Sequence, residues 1–188
     1  MGYFFETEQL VLQAFAPEHL ADFHAYLNHP DLAGLRYIPG KFPGDLPLSK
    51  SQAEDILKTW SQAEKQFHLA IILREKNTLI GHVNAFWRWD THCPNSDLVI
   101  APDYQRQGYG SQVLTLVLDY FFNNTPAHNI ASGTPGWNRP ALDFAARHGF
   151  TRTGGFRRVG RRDDVSYDWL GMDILRPEWL ARSQKGGA

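Results

Sequence analysis

The strongest constraint on the fold is a glycine turn that joins an apolar strand to a long helix. Residues 96–101 read Ser-Asp-Leu-Val-Ile-Ala and end at Pro102, and Gly108 and Gly110 stand in the turn that follows. From residue 113 onward, apolar residues recur at helical spacing, which predicts an amphipathic helix that begins at this turn. The first turn of a helix leaves N–H donors unpaired and carries partial positive charge. Because glycines let an anion approach those donors, the turn predicts a diphosphate site, with a purely conformational role as the alternative.

Two other phosphate-binding motifs are excluded by spacing. The dinucleotide fingerprint needs a third glycine three residues after Gly110, where Val113 stands instead. A Walker loop needs Gly-Lys followed by Ser or Thr, and the chain has no such tripeptide. The turn is therefore neither a dinucleotide nor a nucleoside-triphosphate loop of these kinds.

The rest of the chain predicts strands alternating with helices in one domain over residues 1–180. Ser49 followed by Gln52 is typical of a capping box, and Gly149 is placed to end a helix. The tail, residues 181–188, is expected to be disordered. We expect strands at 10–15, 67–73, 78–87, 96–100, 129–132, 152–160 and 165–175, and helices at 17–28, 49–60, 113–121 and 138–148.

Composition limits the compartment and the partners. The chain has 188 residues, 43% of them hydrophobic, and a net charge of -1, so it can build a core but has no general attraction to nucleic acid or anionic membranes. Cys93 is the single cysteine, so no internal disulfide or cysteine-based zinc site can form. No apolar run approaches the roughly 18 residues that cross a bilayer, and no secretory signal is evident. We expect a cytoplasmic protein without a metal, a nucleic-acid partner or a membrane partner.

Three short motifs resemble those of the GNAT acetyltransferases. Gln105-x-x-Gly108-x-Gly110 resembles that family's coenzyme A signature. The segment from Asn138 to Phe150 resembles its Asn-x-x-Ala helix ending in Gly-Phe, and residues 79–81 resemble its Leu-Ile-Gly strand. The chain's two ends, residues 7–12 and 174–179, look like the branch that contains the ribosomal-protein N-terminal acetyltransferases.

The resemblance implies an α/β (α+β) fold with a mixed, mostly antiparallel twisted sheet and helices on both faces. It also implies direct acetyl transfer from acetyl-CoA to a primary amine, either a protein N-terminus or a small-molecule amine. A non-catalytic acyl-CoA-binding or sensing protein is the alternative. A homodimer is plausible because members of the family often pair.

The resemblance further implies which residues contact the coenzyme. The turn would hold the diphosphate, the end of the preceding strand would pair with the pantetheine arm, and the Asn138 side chain would bond that arm. An ordinary helix cap is the alternative for Asn138. The strand residues are Val99, Ile100 and Ala101, and the turn residues are Gln105, Arg106, Gln107, Gly108, Tyr109, Gly110 and Ser111.

Both side chains that serve as general acids in the family are missing here. The family's Tyr, seven residues after the Asn, is replaced by Ala145, and the Ser found three residues after it in the N-terminal branch is replaced by Ala141. A thiol has a pKa of about 8.5, so solvent could protonate the departing thiolate. Tyr109 and Tyr167 are weaker candidates for the acid.

A general base is needed most when the acceptor resembles lysine. An amine of pKa about 10.4 is only about 0.1% neutral near pH 7.4, a handicap of roughly 4 kcal/mol. Asp97 and His82 are the candidate bases, acting directly or through water. A solvated carboxylate and a structural histidine are the respective alternatives. Asn95 stands where related sequences often have Glu, which weakens a simple transfer of that role.

Aromatic residues are candidates for the acceptor pocket. Tyr37, Trp87 and Trp89 could line it, and packing in the core or at a strand edge is the alternative. Four arginines within residues 157–162 are interpreted as a solvated hairpin, or as a site of attraction for an acidic acceptor or the coenzyme's 3'-phosphate.

Overall fold

The computed structural model describes residues 5–32, 47–63, 66–87 and 90–186. The chain divides into two compact units, one made of Met1–Phe86 with Asp97–Val117 and the other of Trp87–Ser96 with Leu118–Ala188. Strand β5 (Pro94–Ile100) and helix α3 (Tyr109–Asn124) each contribute residues to both units.

The first unit contains an antiparallel run of strands. Its strands are β1 (Phe5–Glu6), β2 (Leu10–Ala14), β3 (Gln66–Leu73) and β4 (Thr78–Trp87), in the order β1-β2-β3-β4-β5. The register pairs Leu12 with Ile71 and Leu69 with Val83. The predicted hairpin is confirmed, and its turn contains Asn77 in a left-handed conformation (φ 46°).

Two helices pack on the first unit's core. Helix α1 (Leu20–Leu27) follows a single 3-10 turn that begins at Pro17, and α2 (Lys50–Ser61) begins at the predicted capping box of Ser49 and Gln52. Both helices bury their apolar faces because this removes apolar surface from water. The aromatic side chains contribute the most, since each removes the largest area. The buried cluster includes Phe15, Phe23, Tyr26, Leu27, Ile56, Leu57 and Trp60.

The second unit has a different strand order. Its strands are β6 (Asn129–Pro135), β7 (Thr151–Arg162) and β8 (Val165–Leu175), in the order β5-β6-β8-β7. Strand β6 is parallel to β5 at Asn95 and Ala131, whereas it pairs antiparallel with β8. The buried side chains of this unit include Phe121, Phe122, Ile130, Phe150 and Ile174.

Helix α4 (Arg139–Arg147) ends as the sequence predicted. Gly149 follows it with a φ of 92°, a left-handed conformation that glycine adopts without steric cost. Helix α5 (Arg176–Gly186) corrects one expectation, because residues 181–186 continue a helix instead of forming a disordered tail. Two contacts hold this helix: Trp179 packs on Phe122 with ring centroids 5.4 Å apart, and the Arg182 guanidinium donates to the carbonyl oxygen of Arg147 at 2.8 Å.

The predicted fold class is confirmed as a mixed α/β fold with a mostly antiparallel sheet. In the described part of the chain, no helix is both long enough and apolar enough to span a bilayer.

Candidate active site

The turn between β5 and α3 is held in shape by its own glutamines. A single 3-10 turn, Pro102–Tyr104, follows the strand. The Gln105 side chain then donates to the carbonyl oxygen of Ile100 at 2.8 Å, and the Gln107 side chain donates to that of Asp103 at 3.0 Å. These bonds tie the turn back to the end of the strand, so the exposed segment 105–108 has a defined path.

Gly108 leaves space beside the backbone of this turn. Its φ of 87° lies in the left-handed region, and a Cβ built on it would meet no atom within 4 Å. Its carbonyl oxygen accepts from Ser111 at 3.1 Å and Gln112 at 3.2 Å, which starts the ladder of α3. Among the described residues, the backbone N–H groups of residues 107 to 110 have no acceptor.

This arrangement suits an anion. The first turn of this 16-residue helix carries unpaired N–H donors, and the residues that lead into it, 105–108, are exposed. A phosphate group can accept several such donors at once. The predicted coenzyme contacts of Arg106, Tyr109 and Gly110 depend on a bound ligand and stay predictions.

The end of β5 is packed closely against β4. The N–H of Ala101 donates to the carbonyl oxygen of Ile80 at 2.8 Å. A Cβ on Gly81 would lie 2.1 Å from the carbonyl oxygen of Val99, so only glycine fits at that position. The predicted pairing of residues 99–101 with a pantetheine arm is not tested by these contacts.

Asn138 caps a helix in the second unit. Its side-chain oxygen accepts from the N–H of Ala141 at 3.3 Å, which is the capping role that the sequence allowed as an alternative. Its side-chain NH₂ keeps its donors, so the cap does not exclude a bond to pantetheine. Ala141 and Ala145 lie half-buried on α4, where neither offers a hydroxyl.

An aromatic and basic contact lies beside this cap. The Arg162 guanidinium stacks 4.0 Å above the Trp137 ring, which meets the Tyr167 ring edge-on at 6.1 Å. Strand β7, which carries the four arginines, is exposed along almost its whole length. The prediction that the four arginines lie on a solvated hairpin is therefore confirmed.

His82 lies in the core of the first unit. Its side chain is fully buried, and its Nδ1 lies 2.6 Å from the Tyr26 hydroxyl. Burial, together with a smaller effect of the neighbouring His68, lowers the pKa of His82 to about 3. A group with so low a pKa is a weak base, so the structure favours the structural alternative for His82.

The other catalytic candidates lie in different settings. Asp97 is half-buried on β5, which leaves it as the better-placed candidate base. Tyr109 is only 9% exposed in the first turn of α3, so it faces the core more than the solvent. Trp87 is 40% exposed and donates from Nε1 to the carbonyl oxygen of Thr91 at 3.1 Å. Tyr37 and Trp89 lie outside the described residues.

Sequence analysis missed the partners of His82. Tyr26 lies 56 residues earlier in the chain, and the stacked pair of Trp60 and His68 comes from a helix and a neighbouring strand. The alternation of polar His68, His82 and Asn84 with apolar residues in β3 and β4 was the available signal.

Comparisons with known proteins agree with the geometry. Residues 9–151 match the model of the family "Acetyltransferase (GNAT) domain". The curated protein YnaD of Bacillus subtilis (strain 168), an uncharacterized N-acetyltransferase, is 28% identical over 173 residues, which cover 92% of this chain and 97% of YnaD. A second curated relative, the prophage-derived uncharacterized N-acetyltransferase YokL of the same organism, is 22% identical and covers 92% of this chain and 93% of its own length.

Solved structures share the fold. A GNAT acetyltransferase from Bacillus anthracis superposes with a TM-score of 0.76 at 22% identity, covering 92% of this chain and 98% of its own. Spermidine N-acetyltransferase from Vibrio cholerae, solved in complex with CoA and spermine, has a TM-score of 0.74 at 20% identity and covers 93% of this chain and 99% of its own. At these identities the likeness establishes the fold.

Proposed function

This chain belongs to the GNAT acetyltransferase family, and on that premise we propose that it transfers an acetyl group from acetyl-CoA directly to a primary amine of a small molecule. The observation that carries the proposal is the turn at Gly108: among the described residues its four N–H groups at 107–110 have no acceptor, and a Cβ on Gly108 would meet no atom within 4 Å. A relative that acts on spermidine and was solved with spermine supports a small amine as the acceptor. The narrower resemblance to ribosomal-protein N-terminal acetyltransferases stays a prediction, with a peptide N-terminus as the competing acceptor.

The turn would bind the coenzyme through the N–H groups of residues 107–110, which would hold the diphosphate. The Asn138 side-chain oxygen caps α4, and a bond from its NH₂ group to pantetheine stays a prediction from the family resemblance. The coenzyme supplies an acetyl thioester. The protein must orient this thioester and accept a proton from the amine.

The reaction forms a C–N bond and breaks the C–S bond of the thioester. The amine must lose a proton to attack, and the sulfur leaves as a thiolate that takes up a proton. Asp97 is the candidate acceptor for the first proton because it lies half-buried on β5, the strand that ends at the coenzyme turn. Ala141 and Ala145 offer no donor for the second, so we assign that proton to solvent.

A panel of acceptors tests the proposal. The purified protein is mixed with acetyl-CoA and either polyamines, aminoglycosides, simple alkylamines or peptides with free N-termini, and release of free thiol is measured. We expect turnover with at least one small amine and a lower kcat/KM with the peptides. Asp97→Asn should lower kcat/KM most for acceptors of high pKa, because those amines depend most on a base.

Two outcomes would contradict the proposal. Turnover restricted to peptides would move the acceptor to a protein N-terminus. Tight binding of acetyl-CoA by calorimetry without thiol release from any acceptor would favour the acyl-CoA-sensing alternative.

A further inference from the structure

Strand β4 carries two fully buried polar side chains that each keep one atom without a partner. His82 and Asn84 are both 0% exposed. Within the described ranges of the chain, His82 Nε2 and Asn84 Nδ2 have no hydrogen-bond partner. A buried donor left unpaired costs about 1–3 kcal/mol, so folded proteins pair such groups with a ligand or an internal water.

The two unpartnered atoms lie in one environment. His82 and Asn84 are two residues apart on the strand, so their side chains leave the same face. The Trp60 ring stacks on His68 with centroids 4.9 Å apart and planes at 3°, and its centroid lies 5.0 Å from that of His82. His68 Nδ1 in turn lies 2.8 Å from Asn84 Oδ1. The Trp60 indole of α2 therefore contacts both the His82 ring, which carries one unpartnered atom, and the His68 ring, which bonds the side chain that carries the other.

The Tyr26 hydroxyl determines which nitrogen of His82 carries the proton. Burial raises the pKa of Tyr26 well above its ordinary value, so the hydroxyl keeps its hydrogen. Among the described residues, its hydrogen-bond partner is His82 Nδ1, at 2.6 Å. A buried hydroxyl donates where an acceptor is available, so Nδ1 accepts and Nε2 carries the hydrogen of the neutral ring. His82 Nε2 and Asn84 Nδ2 are then both donors.

The surroundings of this donor pair are uncharged. His68 is the titratable group whose charge acts on His82, and burial keeps the pKa of His68 below its ordinary value. No carboxylate acts on either ring in the described part of the chain. Two donors without a nearby carboxylate give an ammonium group nothing to bond, whereas an oxygen or nitrogen lone pair can accept from both.

We propose that His82 and Asn84 form an internal binding site for a small uncharged hydrogen-bond acceptor, covered by Trp60 and oriented by Tyr26. Two sources can supply this chemistry. One is an internal water that joins the Tyr26–His82 pair to the Asn84–His68 pair. The other, which rests on the proposed function, is a carbonyl, hydroxyl or ether oxygen of the acyl acceptor. In the second case the site would select amines that carry such an oxygen over polyamines whose second polar group is an ammonium.

A crystal structure of the wild-type protein at a resolution that orders internal waters tests occupancy directly. Density within hydrogen-bond distance of His82 Nε2 and Asn84 Nδ2 in the free protein would assign the water. Density that is present only after soaking with a small amine that carries an ether or hydroxyl oxygen would assign the substrate. A site that is empty in both crystals would overturn the proposal. Because this readout needs no turnover, it stands or falls separately from acetyl transfer.

Nitrogen NMR of the histidine rings tests the donor assignment. We expect His82 to be the neutral tautomer with hydrogen on Nε2 and to show an N–H proton that is protected from exchange. Tyr26→Phe should convert this single tautomer into a mixture of both. Tyr120→Phe, at a half-buried ring that packs on Phe121 in the second unit, should leave it unchanged. Hydrogen on Nδ1 in the wild-type protein would show that the donor pair does not exist.

The acceptor panel separates the two sources in solution. Asn84→Leu is compared with wild type on matched amines that differ only in an ether or hydroxyl oxygen. For a substrate site, we expect kcat/KM to fall at least fivefold more for the oxygen-bearing amine. For a water site, both amines should change by the same factor. A selective gain for the oxygen-bearing amine would contradict both assignments.

Discussion

Replacing Gly108 with valine should weaken acetyl-CoA binding much more than it weakens the fold. The φ of 87° at this residue disfavours any side chain, at a cost of about 1–2 kcal/mol of folding free energy. The new Cβ meets no protein atom within 4 Å, so no clash adds to that cost. The side chain instead occupies the open side from which a diphosphate would reach the unpaired N–H groups of residues 107–110.

The effect on binding can be estimated from those donors. A hydrogen bond to a charged group contributes about 1.5–3 kcal/mol. Blocking one of the four donors should therefore raise the Kd at least about tenfold, since 1.4 kcal/mol corresponds to a factor of ten. Blocking two would raise it about a hundredfold or more.

Calorimetric titration with acetyl-CoA measures the Kd, and thermal denaturation checks the fold. Gly154→Ala is a control, because a Cβ there also meets nothing within 4 Å while the residue belongs to β7 and not to the turn. The control should bind like wild type. An unchanged Kd in a folded Gly108→Val variant would refute the placement of the diphosphate at this turn.

Three further predictions use the same structure. Gly81→Ala should unfold the protein or cost at least about 3 kcal/mol in urea titrations, because its Cβ would lie 2.1 Å from the carbonyl oxygen of Val99; a loss as small as that of Gly154→Ala would show that the strands can separate. Acidification should destabilise the fold, because the unfolded chain protonates His82 below its ordinary pKa of 6.5 while the folded chain holds this pKa at about 3. The contribution is fully present above pH 6.5 and should fall by about 2 kcal/mol by pH 5, so equal unfolding free energies at pH 7.5 and pH 5 would contradict the burial of a neutral ring. The kcat/KM should rise with pH through one ionisation to a plateau, because Ala141 and Ala145 on α4 have no proton to donate. A descending limb between about pH 7 and 9 that is not due to the substrate would reveal a general acid.

The lack of a hydroxyl at Ala141 and Ala145 fits the chemistry of the leaving group. A thiolate leaves readily near its own pKa of about 8.5, so the barrier lies more in forming a neutral amine than in protonating sulfur. The acceptor's pKa should then control the rate more than any residue of α4. A series of amines of graded pKa would measure this dependence.

The local elements were predictable because their signals lie close together in the sequence. Ser49 and Gln52 are three residues apart and form the capping box of α2 as predicted. The turn from β5 into α3 was likewise readable from Gly108, whose positive φ a side chain would disfavour. Other local features were predicted less accurately, since β6 extends to Pro135 and the helix α5, Arg176–Gly186, was not predicted.

Properties that depend on contacts between distant residues could not be read in this way. The sequence made His82 a candidate base because it cannot tell an exposed strand position from a buried one. The structure places the ring against Tyr26 and Trp60, from two different helices, and burial then lowers its pKa. Only the tertiary fold brings these groups together, so only it decides their protonation.

The sequence by itself determined the family, the strand-turn-helix that suits a diphosphate and the absence of hydroxyls at Ala141 and Ala145, because each is a property of residues within a short segment. The tertiary structure decided that Asn138 caps a helix and that Gly81 allows two strands to approach. It also decided that His82 and Asn84 share one buried environment. The physical reason is that burial and hydrogen-bond partners are set by packing between segments far apart in the chain, and packing determines which donors are paired and which protons a side chain keeps.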